Sequence, residues 1–259
     1  MANSHLISGI FNYCDRWCER CSFIDRCATG VMEQKRWAKG KDWEPEDFFE
    51  ELKKIFPFTE NKMSEWLEEN DIDPSEIEES YLPEPDLKGI KQLTEEMRER
   101  GMDYYKSNSA FFRQHQDSFK AKGVDLFSEQ EEAEGKYPLD RSMLADAVDV
   151  VRWYTHFMYV KASRAVQGME DMDDDNWAGP HQSDANGSAK LVVIAAERSI
   201  AAWEIIRRHL PEHSAAIVGF ELQLERFRHR IEGLFPDCRK FVRPGFDTEP
   251  KGGGAAELN

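Results

Sequence analysis

DRSMLADAVDVVRWYTHFMYVKASRAV, residues 140–166, is the stretch on which the fold turns. Leu144, Ala147, Val148, Val150, Val151, Trp153, Phe157, Met158 and Val160 spread round most of the circumference of a helix. A helix that is apolar on nearly all sides has to be covered on nearly all sides, so this one is expected at the centre of a helical protein.

Its covering partners lie on either side. Upstream, Leu87, Ile90, Leu93, Met97, Tyr104, Asn108, Phe111, His115 and Phe119 recur at helical spacing. They predict one long helix, capped by Asp86 and stopped at Gly123, with an acidic linker over 128–135 beyond it. Downstream, residues 168–187 contain Asp171, Asp173, Asp174, Asp175, Gly179, Pro180 and Gly187, which cannot propagate a helix. A third helix is expected from Ser188 to Leu210, with Ala195, Ala196, Ala201 and Ala202 leaving room for close approach. Pro211 ends it. A fourth, over 214–235, carries Ile217, Phe220, Leu224, Phe227, Ile231 and Leu234 as one stripe, and the short connection makes these two antiparallel neighbours. No strand-length alternation and no repeat at solenoid periods accompanies these patterns. The expected fold is all-α: a four-helix bundle with an N-terminal cysteine-rich metal-binding segment and short acidic helices.

Four zones follow. Residues 1–43 form the cysteine-rich segment, and 44–85 an acidic connector. Pro45, Pro57, Pro74, Pro83 and Pro85 limit the connector to short helices over 46–56 and 60–69. Residues 86–245 form the bundle, and 246–259, with Gly252, Gly253 and Gly254, a flexible tail.

Lys and Arg number 34 against 50 Asp and Glu, a formal charge of −16. Such a surface repels phosphate backbones and anionic headgroups, and no basic patch offsets it, so neither nucleic acid nor membrane is an expected partner. A protein partner stays open. The N-terminus lacks a basic and apolar leader, and no apolar run reaches the ~20 residues that span a bilayer, so cytoplasm is the default compartment. There thiols stay reduced, and crowded cysteines read as ligands rather than disulfides.

Cys14, Cys18, Cys21 and Cys27 stand in a C-x3-C-x2-C-x5-C spacing. Four thiolates suit an iron–sulfur cluster or a structural zinc. Consecutive close cysteines wrap clusters, whereas zinc sites pair two knuckles across a longer spacer, so iron–sulfur is the first reading and zinc the alternative. Arg16, Arg20 and Arg26 would offset the charge of a thiolate-ligated group, and Trp17 and Phe23 would shield it. The bland reading, small buried thiols, suits Cys238 better than four cysteines in one charged segment. The first three cysteines also reproduce the C-x3-C-x2-C spacing of radical S-adenosylmethionine enzymes. Arg20 stands where those have an aromatic residue, however, and Cys27 would fill the open iron position. Cys18 and Cys21 lack the βαβ context of a redox dithiol.

Inside the helices, His115, Asp149, Arg152, His156, Lys161 and Glu197 interrupt apolar faces. Either they form a polar pocket or they pair internally as structure. The Glu-x-x-His signature of a di-iron bundle is missing, because no Glu lies three residues before His115, His156, His209 or His229. Residues 171–175 match a calcium loop only in composition. Nucleotide, dinucleotide, serine-hydrolase and zincin motifs are absent from the sequence. Three functions follow in order: an iron–sulfur protein for electron transfer or redox sensing; a zinc-stabilised interaction module; and a non-haem metal enzyme using His115, His156 and nearby carboxylates.

Overall fold

In a computed structural model, which describes residues 5–40, 87–127, 142–169 and 180–247, every regular element is helical. The helices are α1 (Ala28–Lys39), α2 (Leu87–Gln114), α3 (Gln116–Ala121), α4 (Met143–Gln167), α5 (Asp184–His209) and α6 (Ser214–Leu234). Four of them, α2, α4, α5 and α6, are the long ones expected. The short helices expected over 46–56 and 60–69, the Asp86 cap and the acidic loop 171–175 lie outside the described residues.

Helix α4 packs against both α2 and α5, α5 packs against α6, and α6 meets α2 more lightly. Ser142 opens α4 by accepting a 3.2 Å hydrogen bond from the Ala145 backbone N–H. Leu144, Ala147, Val148, Val151, Met158 and Ala162 are buried along its inner side. It is not covered all round, since the apolar Val160 is 57% exposed. On α5, Ala195, Ala196 and Ala202 are buried in the helix interfaces, whereas Ala201 faces out.

Three departures from the sequence pattern have local causes. The first long helix is broken at His115, whose φ of −110° and ψ of 18° end α2 and start α3. The break turns Phe119 back beneath Phe111 and Phe112, with centroids 6.3 and 5.6 Å away, where it is fully buried. Gly123 then stops the chain as expected: at φ +79° it lets the Val124 N–H reach the Phe119 carbonyl at 3.0 Å.

Secondly, α5 begins at Asp184 rather than Ser188, because Ser183 caps it through a 3.2 Å bond from the Asn186 N–H. Gly187 therefore lies inside the helix. It serves close approach there, since a Cβ would sit 2.4 Å from Tyr13 Cε1 and 2.7 Å from Phe241 Cζ. Thirdly, the cysteine segment ends in a helix, α1, that no side chain caps and no apolar stripe announces.

The Tyr13 and Phe241 rings meet at 4.5 Å over the start of α5. The N-terminal segment and the stretch after α6 thus close over the same end of the helical core. Phe246 and Asp247, expected in the tail, are held in place. Phe246 packs edge-on to Phe23 at 5.0 Å, and Asp247 accepts from Lys190 at 2.7 Å and from Arg243.

Candidate metal centre

Cys14, Cys18, Cys21 and Cys27 line one pocket, walled by Ile10, Phe11, Trp17, Ile24 and Phe246. Short turns bring them there. Cys18 opens the 3-10 turn Cys18–Arg20, and Cys21 closes it through a 3.1 Å bond from its N–H to the Cys18 carbonyl. The turn Ile24–Arg26 leads to Cys27, the N-cap residue of α1. Gly30 in the first turn of α1 allows this convergence, because a Cβ there would lie 2.4 Å from the Ile24 carbonyl oxygen.

Arg16 sets the first half of the loop. It adopts φ +58°, a conformation costing an L side chain about 1–2 kcal/mol. The Arg16 backbone N–H points at the Cys14 sulfur, and the Phe23 N–H at the Cys21 sulfur. Burial nevertheless pushes the Cys14 and Cys21 thiols up. Burial, then the carboxylate of Glu33, then the neighbouring Cys14, push Cys18 up to about 12. Among the described residues, no three His, Cys, Asp or Glu side chains are gathered tightly enough to hold a metal ion. The four thiols share one pocket without closing on a single point.

Of the arginines expected to balance charge, only Arg16 lines the pocket. Arg20 stacks on Trp17, with Cζ 3.8 Å from the ring centroid, and binds Asp146 at 2.6 Å. Arg26 donates to the His5 carbonyl at 3.5 Å. Trp17 shields the pocket, whereas Phe23 acts from outside through Phe246.

Two residues the sequence did not assign to this site support it. Lys161 on α4 is buried, and its Nζ donates to the Asn12 carbonyl at 3.3 Å. Burial, followed by repulsion from Arg164 and Arg16, holds its ammonium below the ordinary lysine range, with Cys14 pulling it back up. Asp15 ties the cysteine loop to the helices: Oδ2 accepts from Tyr154 at 2.8 Å and from Arg198 at 2.6 Å, and its carbonyl accepts from Trp153 Nε1 at 2.9 Å. Trp153 also stacks on Trp17 at 4.9 Å. Lys161 left a trace in the sequence, as a cation in an apolar helix; Asp15 left none.

Asp15→Ala is expected to cost about 1–3 kcal/mol, mostly by leaving the Tyr154 hydroxyl, which still accepts from Arg198, without an acceptor for its own proton. The Arg198 pair adds less because Arg198 is half exposed. Asp15→Asn keeps an acceptor and should recover most of the loss. Denaturant titration of both variants measures the difference.

Of the polar groups expected inside the helices, His115, Asp149, Arg152, His156, Lys161 and Glu197, only Lys161 is buried; Arg152 and His156 line one cavity, and the others stand apart from it. Asp149 lies 3.9 Å from Arg20, and Glu197 pairs with Arg239 on the turn Cys238–Lys240 rather than with a neighbouring helix. His229 and Glu225 meet at 3.2 Å on the surface, and Cys238 is buried away from the thiol pocket. His156 packs on Tyr105 at 4.7 Å. His115 lies 4.0 Å from the His213 ring, whose Nε2 is 3.0 Å from Ser118 Oγ.

Burial, and then repulsion from His213, hold the His115 imidazole below its ordinary range. The folded state therefore binds fewer protons here than the unfolded chain, and stability should fall as pH drops through the ordinary histidine range near about 6.5. Thermal melts from about pH 7 to about pH 5 should show this slope, and His115→Gln should flatten it.

Compared with known proteins, the chain matches no protein-family model, no curated protein and no solved structure. Among the described residues, no helix is long and apolar enough to cross a membrane. The class is that of a mostly helical protein with four thiols converging on one apolar pocket.

Proposed function

We propose that this is a cytoplasmic iron–sulfur protein in which Cys14, Cys18, Cys21 and Cys27 hold a cluster used for electron transfer or redox sensing. In this reading segment 1–43 is docked on a four-helix bundle formed by 86–245. The observation that carries the reading is the convergence of all four thiols on one apolar-walled pocket.

A single tetrahedral ion needs four sulfurs about 2.3 Å from one point. A cluster spreads its thiolates over several irons, with sulfide between them. Four thiols lining one pocket fit either arrangement, and the close consecutive spacing of Cys14, Cys18, Cys21 and Cys27 favours the second. The cluster would supply one-electron chemistry. The chain's own residues hold and insulate it: Ile10, Trp17, Ile24 and Phe246 keep water out, and Arg16 and Lys161 bring positive charge. The Arg16 and Phe23 N–H groups aim at sulfur, an arrangement that tunes reduction potentials.

Anaerobic purification followed by iron and acid-labile sulfide analysis tests the reading. Brown protein with both elements in stoichiometric amounts is expected. Colourless protein with one zinc and no sulfide would replace the cluster with a structural staple, and a chain with no metal would remove both.

A further inference from the structure

A cavity of about 370 Å³ opens between α2, α4 and the turn after α3, away from the cysteines. Its lining includes Tyr105, Asn108, Phe112, Arg113, Arg152 and His156. We propose that it binds a small organic anion with a flat apolar body, of the aromatic carboxylate class. Ligand cavities run from roughly 300 to 1,000 Å³ and combine apolar walls with a few convergent polar groups, and this one has both features.

Charge is the first argument. The chain carries −16 overall, yet no carboxylate stands among the described residues that line the cavity. Among the described residues the Arg113 side chain has no hydrogen bond or ion pair, and the His156 ring lies 4.7 Å from that of Tyr105. The Arg152 guanidinium lies 5.3 Å from the Phe112 centroid and 5.6 Å from that of Phe127, a position that orients its planar fork.

Apolar surface is the second. Phe127 is 55% and Tyr105 36% exposed, so two aromatic rings at this cavity are left uncovered. The floor is fixed and polar: buried Asn108 donates to Thr155 Oγ1 at 3.2 Å, and Thr155 donates on to the Val151 carbonyl at 2.7 Å. An arginine fork recognises a carboxylate through paired charged hydrogen bonds, and the exposed rings would cover a flat hydrocarbon body. Inorganic phosphate would satisfy only the first of these.

Calorimetric titration of the full chain with 2-naphthoate, its neutral counterpart 2-naphthylmethanol, and inorganic phosphate tests this. One naphthoate per chain, bound about tenfold or more tightly than either of the other two, is expected. Arg113→Gln should weaken naphthoate by about tenfold while leaving the thermal midpoint unchanged, and His156→Gln gives a second, separate lesion. Equal binding of the alcohol would reduce the cavity to an apolar groove, and equal binding of phosphate to a charge effect. Either result, no binding at all, or full affinity in both variants overturns the proposal. None of these outcomes bears on the cysteine site, because the two share no lining residue.

Discussion

Cys21→Ser is expected to abolish retention of the proposed cluster while leaving the helical core folded. Cys21 closes the turn Cys18–Arg20, and its own carbonyl accepts from the Ile24 N–H at 3.4 Å, so it joins the two turns of the cysteine loop. Serine substitutes a hard, weakly acidic hydroxyl for a soft thiolate, which a thiolate-bound metal does not tolerate. The loss should stay local. The loop is also fastened by Asp15 to α4 and α5, by the Trp17–Trp153 stack and by Tyr13, whose hydroxyl donates to Asp184 at 2.9 Å.

Trypsin should therefore cut the variant within the turns, after Arg20 and Arg26, sooner than it cuts the parent. Far-ultraviolet circular dichroism should change little, because α2, α4, α5 and α6 bury their own stripes. Iron and sulfide per chain are the decisive measurements. A variant that keeps both in full would remove Cys21 from the ligand set.

The helices were legible because their periodicity is strong. Gly123 and Pro211 mark ends that sterics enforce at short range. What the pattern missed depends on partners far away in sequence. The α5 start runs through Gly187, a residue that looks like a breaker until Tyr13 and Phe241 are placed against it. The break at His115 follows from burying Phe119, which an unbroken apolar stripe does not reveal.

At the thiol pocket, the spacing of the cysteines announced a candidate ligand set, because loops that short keep four thiols together. The residues that anchor the loop and complete the pocket wall come from far along the chain. Tyr154 reaches Asp15 across a sequence separation of 139, and Phe246, which walls the pocket, lies 219 residues beyond Cys27. Arg20 shows the opposite error: its position beside two cysteines suggests charge balance, but Asp146, 126 residues on, takes its guanidinium.

Trp203→Ala should produce the largest loss of stability. Trp203 is fully buried on α5, stacked between Phe112 at 5.4 Å and Phe220 at 4.5 Å, with Phe111 edge-on at 5.6 Å. It thereby ties α2, α5 and α6 together at one layer of the core. Removing a buried tryptophan side chain costs about 3–5 kcal/mol in transfer and cavity energy. Its Nε1 also donates to the Tyr104 hydroxyl at 2.9 Å, and losing that partner adds about 1 kcal/mol.

Native stabilities are about 5–15 kcal/mol, so a loss of about 4–6 kcal/mol should lower the melting point by roughly 8–24 °C at about 2–4 °C per kcal/mol. Trp203→Phe keeps the stack and loses the donor, and should fall less than half as far. Trp203 does not line the thiol pocket, so iron and sulfide per folded chain should match the parent below the melting transition. Cys21→Ser and Trp203→Ala should thus act in opposite ways, one removing the proposed cluster from a stable core and the other weakening the core beneath the cysteine pocket. A Trp203→Ala protein within about 1 kcal/mol of the parent in denaturant would show that these three helices are not held together at this layer.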